Sequence, residues 1–274
     1  MLKKQFLIIA LLCAVVQGAW AWSGSGTQAD PYLITSLSDW NKLRSNVECG
    51  TTYNGTYFKL TNDISVASMV GSSGNTFNGI FDGDGHTITV SYNTDADGCG
   101  AFRYTNGATI KNLITTGTIT TSNKHAGGVV GLNGADRLTL ENVKSSVTIN
   151  TTSSADSEGG LVGQTTSADI IGCAFVGSLL GSSAGGWGGL IGYKTKADGS
   201  SVNITNCLFA PESMSENRGW SGTFVRRDDK AVNITNSYYT VKLNNDSGDP
   251  VDGKLRHSIT GRYGVSVECA DSPH

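Results

Sequence analysis

Short apolar clusters alternate with polar and glycine-rich segments along most of this chain, and the clusters recur at a nearly constant spacing. One recurring signature is a glycine pair followed by two aliphatic residues and a third glycine. It appears in full at 127–131 (GGVVG), 159–163 (GGLVG) and 188–192 (GGLIG). With weaker copies at Gly100 and Gly222, the reference glycines at 100, 128, 160, 189 and 222 are 28, 32, 29 and 33 residues apart.

A second signature, a short apolar strand that runs into an asparagine, keeps the same period. Its copies are IKNL (110–113), LENV (140–143), ITNC (204–207) and ITNS (234–237), and IIGC (170–173) fits between them. Their last residues are 30, 30, 34 and 30 positions apart. Two independent signatures with one period indicate a repeat array. Because the segment 113–239 lacks helical i, i+3, i+4, i+7 periodicity, each repeat is predicted to be one coil of a parallel β-helix.

Stacked coils give these recurring positions physical roles. The position two after each reference glycine is always apolar and is predicted to form an inward ladder of Phe102, Val130, Val162, Ile191 and Phe224. Each such side chain contributes about 1.5–3 kcal/mol when buried. The asparagine column contains Asn112, Asn142, Gly172, Asn206 and Asn236. Since Asn and Gly best tolerate a left-handed backbone, this column predicts a turn with positive φ in each coil, with stacked amides that could hydrogen-bond along the axis.

The same motifs resemble the GLUG repeats of bacterial secreted and surface proteins. The clusters GGVVGL, GGLVGQ and GGLIGY are similar to the repeat, and GSGTQADPYLI (24–34) is similar to the opening segment of those proteins. The segments YFKLTNDI (57–64) and FNGIFDGDGHTI (77–88) resemble their first coils. The resemblance covers residues 24–240 and implies an all-β, right-handed, pectin-lyase-like parallel β-helix outside the cell, in adhesion or an unknown role. The copy around Gly222 departs from the pattern, and residues 241–274 match nothing.

The N-terminus predicts export. Lys3 and Lys4 precede an apolar run (6–16) that is too short to span a bilayer, and Ala19-Trp20-Ala21 has the small residues that signal peptidase requires. We therefore expect a signal peptide at 1–21, an opening segment with a capping helix at 22–56, β-helix repeats at 57–240, and a C-terminal cap or tail at 241–274.

The capping helix is expected at residues 36–47. Leu37, Trp40, Leu43 and Val47 fall on one face of this helix. Ser36 or Ser38 could cap its N-terminus. A helix here would cover the open strand edges at the first end of the stack, which would otherwise recruit other chains.

Composition narrows the range of partners. Glycine supplies 36 of the 274 residues and proline only 4, which suits many tight turns. Removal of Lys3 and Lys4 leaves 18 basic and 23 acidic residues, a net charge of −5, so nucleic acid is not an expected partner. The mature chain contains no apolar segment long enough for a transmembrane helix. We expect an extracellular or cell-surface protein that contacts a surface glycan or a host or cell-surface protein and needs no cofactor.

Trp187, Trp220 and Tyr193 are the candidate glycan-binding residues. Each tryptophan lies two residues before a reference glycine, so the indoles are expected to stack about 4.8 Å apart on adjacent coils, with Tyr193 nearby. If exposed, such a strip would suit the apolar face of a sugar. The alternative is that both indoles fill the core beside the glycines.

Five cysteines remain after the expected cleavage. Cys173 and Cys207 fall in one column of adjacent coils and are predicted to form a disulfide or a pair of stacked thiols. Cys49 and Cys99 are a second possible pair, which no spacing argument supports.

Candidates for catalysis are few. The segment DGDGH (82–86) could bind a metal or act as acid and base, but its glycines are typical of a tight turn and the downstream ligands of a calcium loop are absent. The four histidines lack metal-ligand spacing. The acidic residues of the coils are not expected to share one column: Asp63, Asp82, Glu141, Glu158 and Asp169. No catalytic or metal-binding residue is therefore assigned.

The leading prediction is a non-catalytic β-helix that acts in adhesion or glycan contact. One alternative is a carbohydrate-active enzyme, either a polysaccharide lyase or a glycoside hydrolase, whose carboxylates and basic residues would converge in a groove. The other is a passive structural spacer, which would have neither a groove nor a binding strip.

Overall fold

The chain folds as a parallel β-helix of about 6 turns, and 6% of its residues are helical. This computed structural model describes residues 22–155, 157–183, 186–215, 221–227, 231–243 and 254–255. The predicted all-β class, parallel stacking and N-terminal helix are confirmed. The expected signal peptide at 1–21 and most of the expected C-terminal tail lie outside the described residues.

Strands are numbered β1 to β26 along the chain, and within the described residues they form four sheets. The first sheet contains, in spatial order, β1 (Tyr32–Ile34), β2 (Tyr57–Leu60), β4 (Ile80–Asp82), β7 (Thr109–Lys111), β10 (Leu138–Glu141), β15 (Ala168–Ile171), β20 (Val202–Thr205) and β24 (Val232–Thr235). Its outer side faces solvent, and its inner side lines the core.

The second sheet has eleven strands. Nine lie on one path: β22 (Ser213–Met214), β17 (Ser178–Ser183), β12 (Thr148–Ala155), β8 (Ile114–Thr121), β11 (Lys144–Ser145), β16 (Ala174–Phe175), β21 (Leu208–Phe209), β25 (Tyr238–Tyr239) and β26 (Lys254–Leu255). The other two are β5 (Thr87–Thr94), which pairs with β8, and β3 (Ile64–Val66), which pairs with β5.

The third and fourth sheets complete each coil. The third contains β6 (Phe102–Thr105), β9 (Val130–Asn133), β14 (Val162–Thr165), β19 (Ile191–Lys194) and β23 (Val225–Arg227). The fourth pairs β13 (Glu158–Gly159) with β18 (Trp187–Gly188). Each coil passes through the three large sheets in turn. Because successive coils pair in parallel register, their equivalent residues lie side by side.

The predicted inward ladder is confirmed in four of its five positions. Phe102, Val130, Val162 and Ile191 are fully buried and lie in register. The fifth position is wrong by one residue, because Ile191 pairs with Val225 and not with Phe224. Phe224 is buried nonetheless, with its ring 6.1 Å from that of Tyr239.

The asparagine column adopts the predicted left-handed turn. The φ angles are +51° at Asn112, +53° at Asn142, +61° at Gly172, +57° at Asn206 and +47° at Asn236. The Nδ2 group of Asn142 donates to Oδ1 of Asn112 at 2.9 Å, and Asn236 donates in the same way to Asn206 at 2.6 Å. Gly172 has no side chain and interrupts this line of hydrogen bonds between Asn142 and Asn206.

The glycine pairs are explained by the space beside the backbone. A Cβ atom on Gly160 would overlap the ring of Phe175 and the carbonyl oxygen of Gly189. A Cβ atom on Gly189 would overlap the ring of Phe209 in the same manner. The two phenylalanine rings stack with their centroids 6.2 Å apart and an interplanar angle of 13°. In these two copies the second glycine of the motif makes room for an aromatic ring in the core, whereas Gly128 of the first copy lies against Ser145.

Helix α1 (Leu37–Glu48) packs on the first coils as expected. The hydroxyl of Ser36 caps it by accepting from the amide of Asp39 at 3.4 Å. Trp40 is fully buried, with its Nε1 donating to the carbonyl of Ser68 at 2.9 Å. Leu37, which the sequence places on the same face of the helix, is 46% exposed. Helical side chains tilt toward the N-terminus, so a residue at the first position projects beyond the packed turns.

We expect Gly160→Ala to lower the free energy of unfolding by about 1–3 kcal/mol, because the added methyl group forces Phe175 out of its place in the core. Gly74→Ala is the matched control, since a Cβ atom there meets nothing within 4 Å. Urea unfolding of both variants measures the difference. Equal midpoints for the two variants would contradict the packing role assigned to Gly160.

Candidate functional site

The DGDGH segment forms a tight turn whose carboxylates are engaged by lysines. The amide of Asp84 donates to Oδ1 of Asp82 at 2.9 Å, and Asp84 has a φ of +49°. Nζ of Lys59 lies 2.9 Å from Oδ2 of Asp84, and Nζ of Lys111 lies 3.4 Å from Oδ2 of Asp82. The two carboxylates therefore face cations of neighbouring coils, which favours the turn interpretation over a metal site.

His86, the third group of this segment, is paired with a carboxylate of the preceding coil. Its Nδ1 lies 3.3 Å from Oδ1 of Asp63, which also accepts from the amide of Thr87 at 2.9 Å. The hydrogen bond from the Thr87 amide, helped by His86, keeps the pKa of Asp63 below its usual value. Asp63 therefore acts as a cap for the turn at the start of β5.

The Asp82 carboxyl is held in its ionised form. Burial by itself would raise its pKa, but hydrogen bonds from Asn112 and from the amide of Asp84, with the charge of Lys111, keep this pKa below its usual value. The bond from Nδ2 of Asn112 measures 3.0 Å. A general acid needs a raised pKa, so the surroundings of Asp82 are unsuited to that role.

The five acidic residues of the coils do not share one column, but two of them, Asp82 and Glu141, do. Residues Lys59, Asp82, Lys111 and Glu141 lie in register on the outer side of the first sheet. Asp82 and Glu141 are thus two coils apart, about 9.6 Å along the axis. Lys111 lies between them and contacts Asp82, so it occupies the space in which a glycosidic bond would have to be held between two carboxylates.

Trp187 lies in the core. It is fully buried, and its neighbour in the next coil is Ser221, whose Oγ accepts from the Trp187 amide at 2.9 Å. The expected alignment is off by one residue, because Gly188, not Gly189, pairs with Gly222. Trp220 lies outside the described residues. Of the two alternatives, the core position applies to Trp187.

Tyr193 lies on the third sheet with a half-buried ring. Its partner in the preceding coil is Gln164, and the guanidinium carbon of Arg226 lies 5.0 Å from its ring centroid. This contact places a cation over one face of the ring. Glycan binding by Tyr193 stays a prediction.

Cys173 and Cys207 are stacked free thiols, not a disulfide. The amide of Cys173 donates to Sγ of Cys207 at 3.4 Å, and burial raises the pKa of the Cys173 thiol. The pairing of Cys49 with Cys99 is wrong, because Cys49 is disulfide-bonded whereas Cys99 is free. The two thiols thus pack in the core, where each sulfur takes the place of an aliphatic side chain.

Cys99 deserves scrutiny as a nucleophile, because Asp97 and His125 lie close to it in the fold. His125 Nε2 is 3.7 Å from Oδ1 of Asp97, and the amide of Cys99 donates to the His125 carbonyl at 3.1 Å. However, the Cys99 thiol is fully buried and donates to the carbonyl of Ala96 at 3.4 Å. Burial raises the pKa of this thiol, whereas a reactive cysteine needs a lowered one.

Another part of the surface carries regular columns of uncharged residues that the sequence analysis did not identify. Strands β5, β8, β12, β17 and β22 contain no Asp, Glu, Lys, Arg or His. Two columns of residues run across them. We call these columns the uncharged face, which consists of Ser91, Thr118, Thr148, the buried Ser178 and Ser213 in one column and Asn93, Thr120, Asn150 and Leu180 in the other.

The uncharged face presents hydroxyl and amide groups to solvent. Ser91, Asn93, Thr118 and Asn150 are exposed, while Ile119 and Ile149 on the opposite side of the same strands are fully buried. Charged residues such as Asp95 and Glu212 lie beyond the strand ends. The alternation of Ser, Thr and Asn with apolar residues, repeated every 30 positions at 118 and 148, is the signal that would have revealed this face.

Two classes of site are not found in the described part of the chain. No group of three or more His, Cys, Asp or Glu side chains there is arranged to hold a metal ion. Across the same residues, no helix has both the length and the apolar character that are needed to cross a membrane.

Comparisons with known proteins support the fold. No family model matches the chain. The chain is similar to the crystal structure of a Bacteroides ovatus protein described as a "putative immunoglobulin A1 protease", with a TM-score of 0.54, 20% identity, and coverage of 79% of this chain and 77% of that one. It is also 28% identical to halomucin of Haloquadratum walsbyi over 47% of this chain. The chain spans 2% of the length of halomucin.

We expect the Asp82 carboxylate to contribute stability above about pH 4 that is lost on acidification. Its folded-state pKa is lowered relative to the unfolded value near 3.9, so the unfolded chain binds more protons as the pH falls through the folded pKa. Thermal unfolding at about pH 6 and about pH 3 should therefore differ less for Asp82→Asn than for the wild type. Asp95→Asn, on an exposed residue, is the control. An unchanged pH dependence in Asp82→Asn would contradict this role.

Proposed function

We propose that this chain is an exported, non-catalytic β-helix protein that works by contact with another surface, a glycan or a cell-surface protein. The uncharged face is the observation that carries this proposal. An ordered array of exposed hydroxyl and amide groups offers hydrogen bonds to a partner but lacks the ionisable groups that acid–base or nucleophilic catalysis uses. Membership of the GLUG-repeat group is part of the same proposal and is supported by the repeated glycine clusters.

Export is supported by the first 21 residues and by the place of Trp22 in the fold. Cleavage after Ala21 would make Trp22 the first residue of the mature chain. The Trp22 ring lies 5.6 Å from the ring of Tyr32 and 5.5 Å from that of Phe58, and Nζ of Lys42 lies 4.4 Å from its centroid. The mature chain would thus begin at a residue that the first coil already holds.

The alternative of a carbohydrate-active enzyme has less support. The description of the Bacteroides ovatus protein names a protease, but a likeness at 20% identity concerns the fold alone. In this chain, Asp82 is paired with Lys111 and Asp63 with His86. A passive spacer would have no use for an uncharged face on one side only.

Expression of the full chain in a bacterium with a secretion pathway should give an exported protein that begins at Trp22. Intact-mass measurement identifies the first residue. The variant Ala21→Arg should remain unprocessed, because signal peptidase requires small residues at the cleavage site. Unprocessed wild-type protein in the cytoplasm would contradict export.

Contact through the uncharged face can be tested by inserting charge. We expect Thr118→Lys combined with Thr148→Lys to reduce binding of the labelled mature protein to microbial or epithelial cells by about tenfold or more, because two desolvated lysines disfavour contact. Flow cytometry measures the bound protein.

The matched control combines Thr109→Lys and Thr139→Lys, which occupy one column on the outer side of the first sheet. The control should bind like the wild type. Absence of binding by the wild-type protein to every cell type would favour the passive spacer, and equal losses in both double variants would contradict a role of the uncharged face. New chain ends in glycans recovered from the same samples would instead indicate the enzyme.

A further inference from the structure

Charged side chains are distributed unequally between the first and the second sheet. On the outer side of the first sheet, Lys59, Asp82, Lys111 and Glu141 form a column of alternating sign. On the second sheet, the two columns of the uncharged face cross five strands that contain no Asp, Glu, Lys, Arg or His. Protein surfaces normally mix charges of both signs, so a charge-free face of this size indicates a partner that is itself uncharged.

We propose that the uncharged face binds a neutral polysaccharide chain that lies along the axis of the β-helix. This inference rests on the proposed contact function and names its ligand class. Anionic glycans and phosphate-bearing surfaces require Lys or Arg for recognition, and those residues are absent from the five strands. Serine, threonine and asparagine side chains both donate and accept hydrogen bonds, as sugar hydroxyls do.

The regular spacing of the residues on the uncharged face suits a ligand that itself consists of repeated units. Ser91, Thr118 and Thr148 lie in register on successive strands, about 4.8 Å apart along the axis. The parallel column of Asn93, Thr120 and Asn150 lies about 6.6 Å to one side. A polymer that runs along the axis meets one residue of each column at every successive coil, whereas a polymer that crosses the axis meets the residues of one coil alone.

The binding is spread over many weak contacts. Each exposed hydrogen bond contributes little on its own, because a bond to water is exchanged for a bond to the ligand. Successive coils act as linked sites on one polymer, so the affinity should rise steeply with the length of the glycan. Because no ion pairs take part, the affinity should be almost independent of salt concentration.

A second copy of the chain fits this face less well. Stable pairing of two sheets face to face uses interdigitating apolar side chains, and Leu180 is the apolar member of the two columns. Strand addition is also disfavoured at this face, because β8 and β12 each have a hydrogen-bonded neighbour on both sides. The face is thus suited to a hydroxylated ligand that lies on top of the strands.

Affinity electrophoresis of the mature protein in gels that contain polysaccharide tests the proposal. The neutral probes are mannan, glucomannan, xylan and mixed-linkage β-glucan, and the anionic probes are polygalacturonate and heparin. We expect retardation by at least one neutral polymer, insensitivity to added salt, and no retardation by the anionic polymers. The Thr118→Lys, Thr148→Lys variant should lose about tenfold or more in affinity, whereas the Thr109→Lys, Thr139→Lys variant should keep the wild-type affinity.

The outcomes separate this inference from the proposed function. Cell binding that depends on the uncharged face, without retardation by any neutral polymer, would overturn the glycan and leave the contact function in place. Salt-sensitive retardation by the anionic polymers alone would also overturn it. A wild-type dimer that the Thr118→Lys, Thr148→Lys variant converts to a monomer, measured by light scattering, would assign the face to a second copy instead. Unchanged circular dichroism of both variants controls for folding.

Discussion

Parallel hydrogen bonding between successive coils is the constraint on which the rest of this structure depends. Once two coils pair in register, every residue of one coil lies beside its equivalent in the next, about 4.8 Å away. A buried position must then be filled by residues that stack, as Val130, Val162 and Ile191 do. A turn must keep the same backbone geometry in every coil, which is why asparagine and glycine recur in one column with positive φ. The repeat in the sequence is thus the record of one geometrical requirement.

The same constraint determines how much of the fold can be read from the sequence. The asparagine turns and the first four positions of the ladder follow from the two signatures, which recur there although the spacing between copies varies from 28 to 34 residues. The last coil does not follow, since either glycine of a pair can serve as the reference and the structure uses Gly188 opposite Gly222. That single-residue difference exchanges Phe224 for Val225 in the ladder and places Ser221 beside Trp187.

The candidate sites were harder to predict than the fold, for two physical reasons. Exposure depends on which side of a strand faces inward, so the aromatic hypothesis failed for Trp187, whose side chain is in the core. The reactivity of a carboxylate or thiol depends on neighbours that are distant in sequence. Lys111 is 29 positions from Asp82 but contacts its carboxylate, and Cys99 is buried by coils on both sides. The uncharged face was visible in the sequence, but only when outward positions of several coils are compared at once.

The distribution of charge bears on what such a stack can do. On the first sheet Asp82 and Asp84 each have a lysine in reach, so these two carboxylates offer a substrate no unpaired acid or base. On the uncharged face of the second sheet the side chains are neutral and lie in register, so what they offer is hydrogen bonding from successive coils. Catalysis requires a few groups whose surroundings differ sharply from the average, whereas adhesion to a polymer requires many groups whose surroundings are alike. A repeated coil meets the requirement for adhesion without further adaptation. This is the physical reason for preferring a contact function to a catalytic one in this protein.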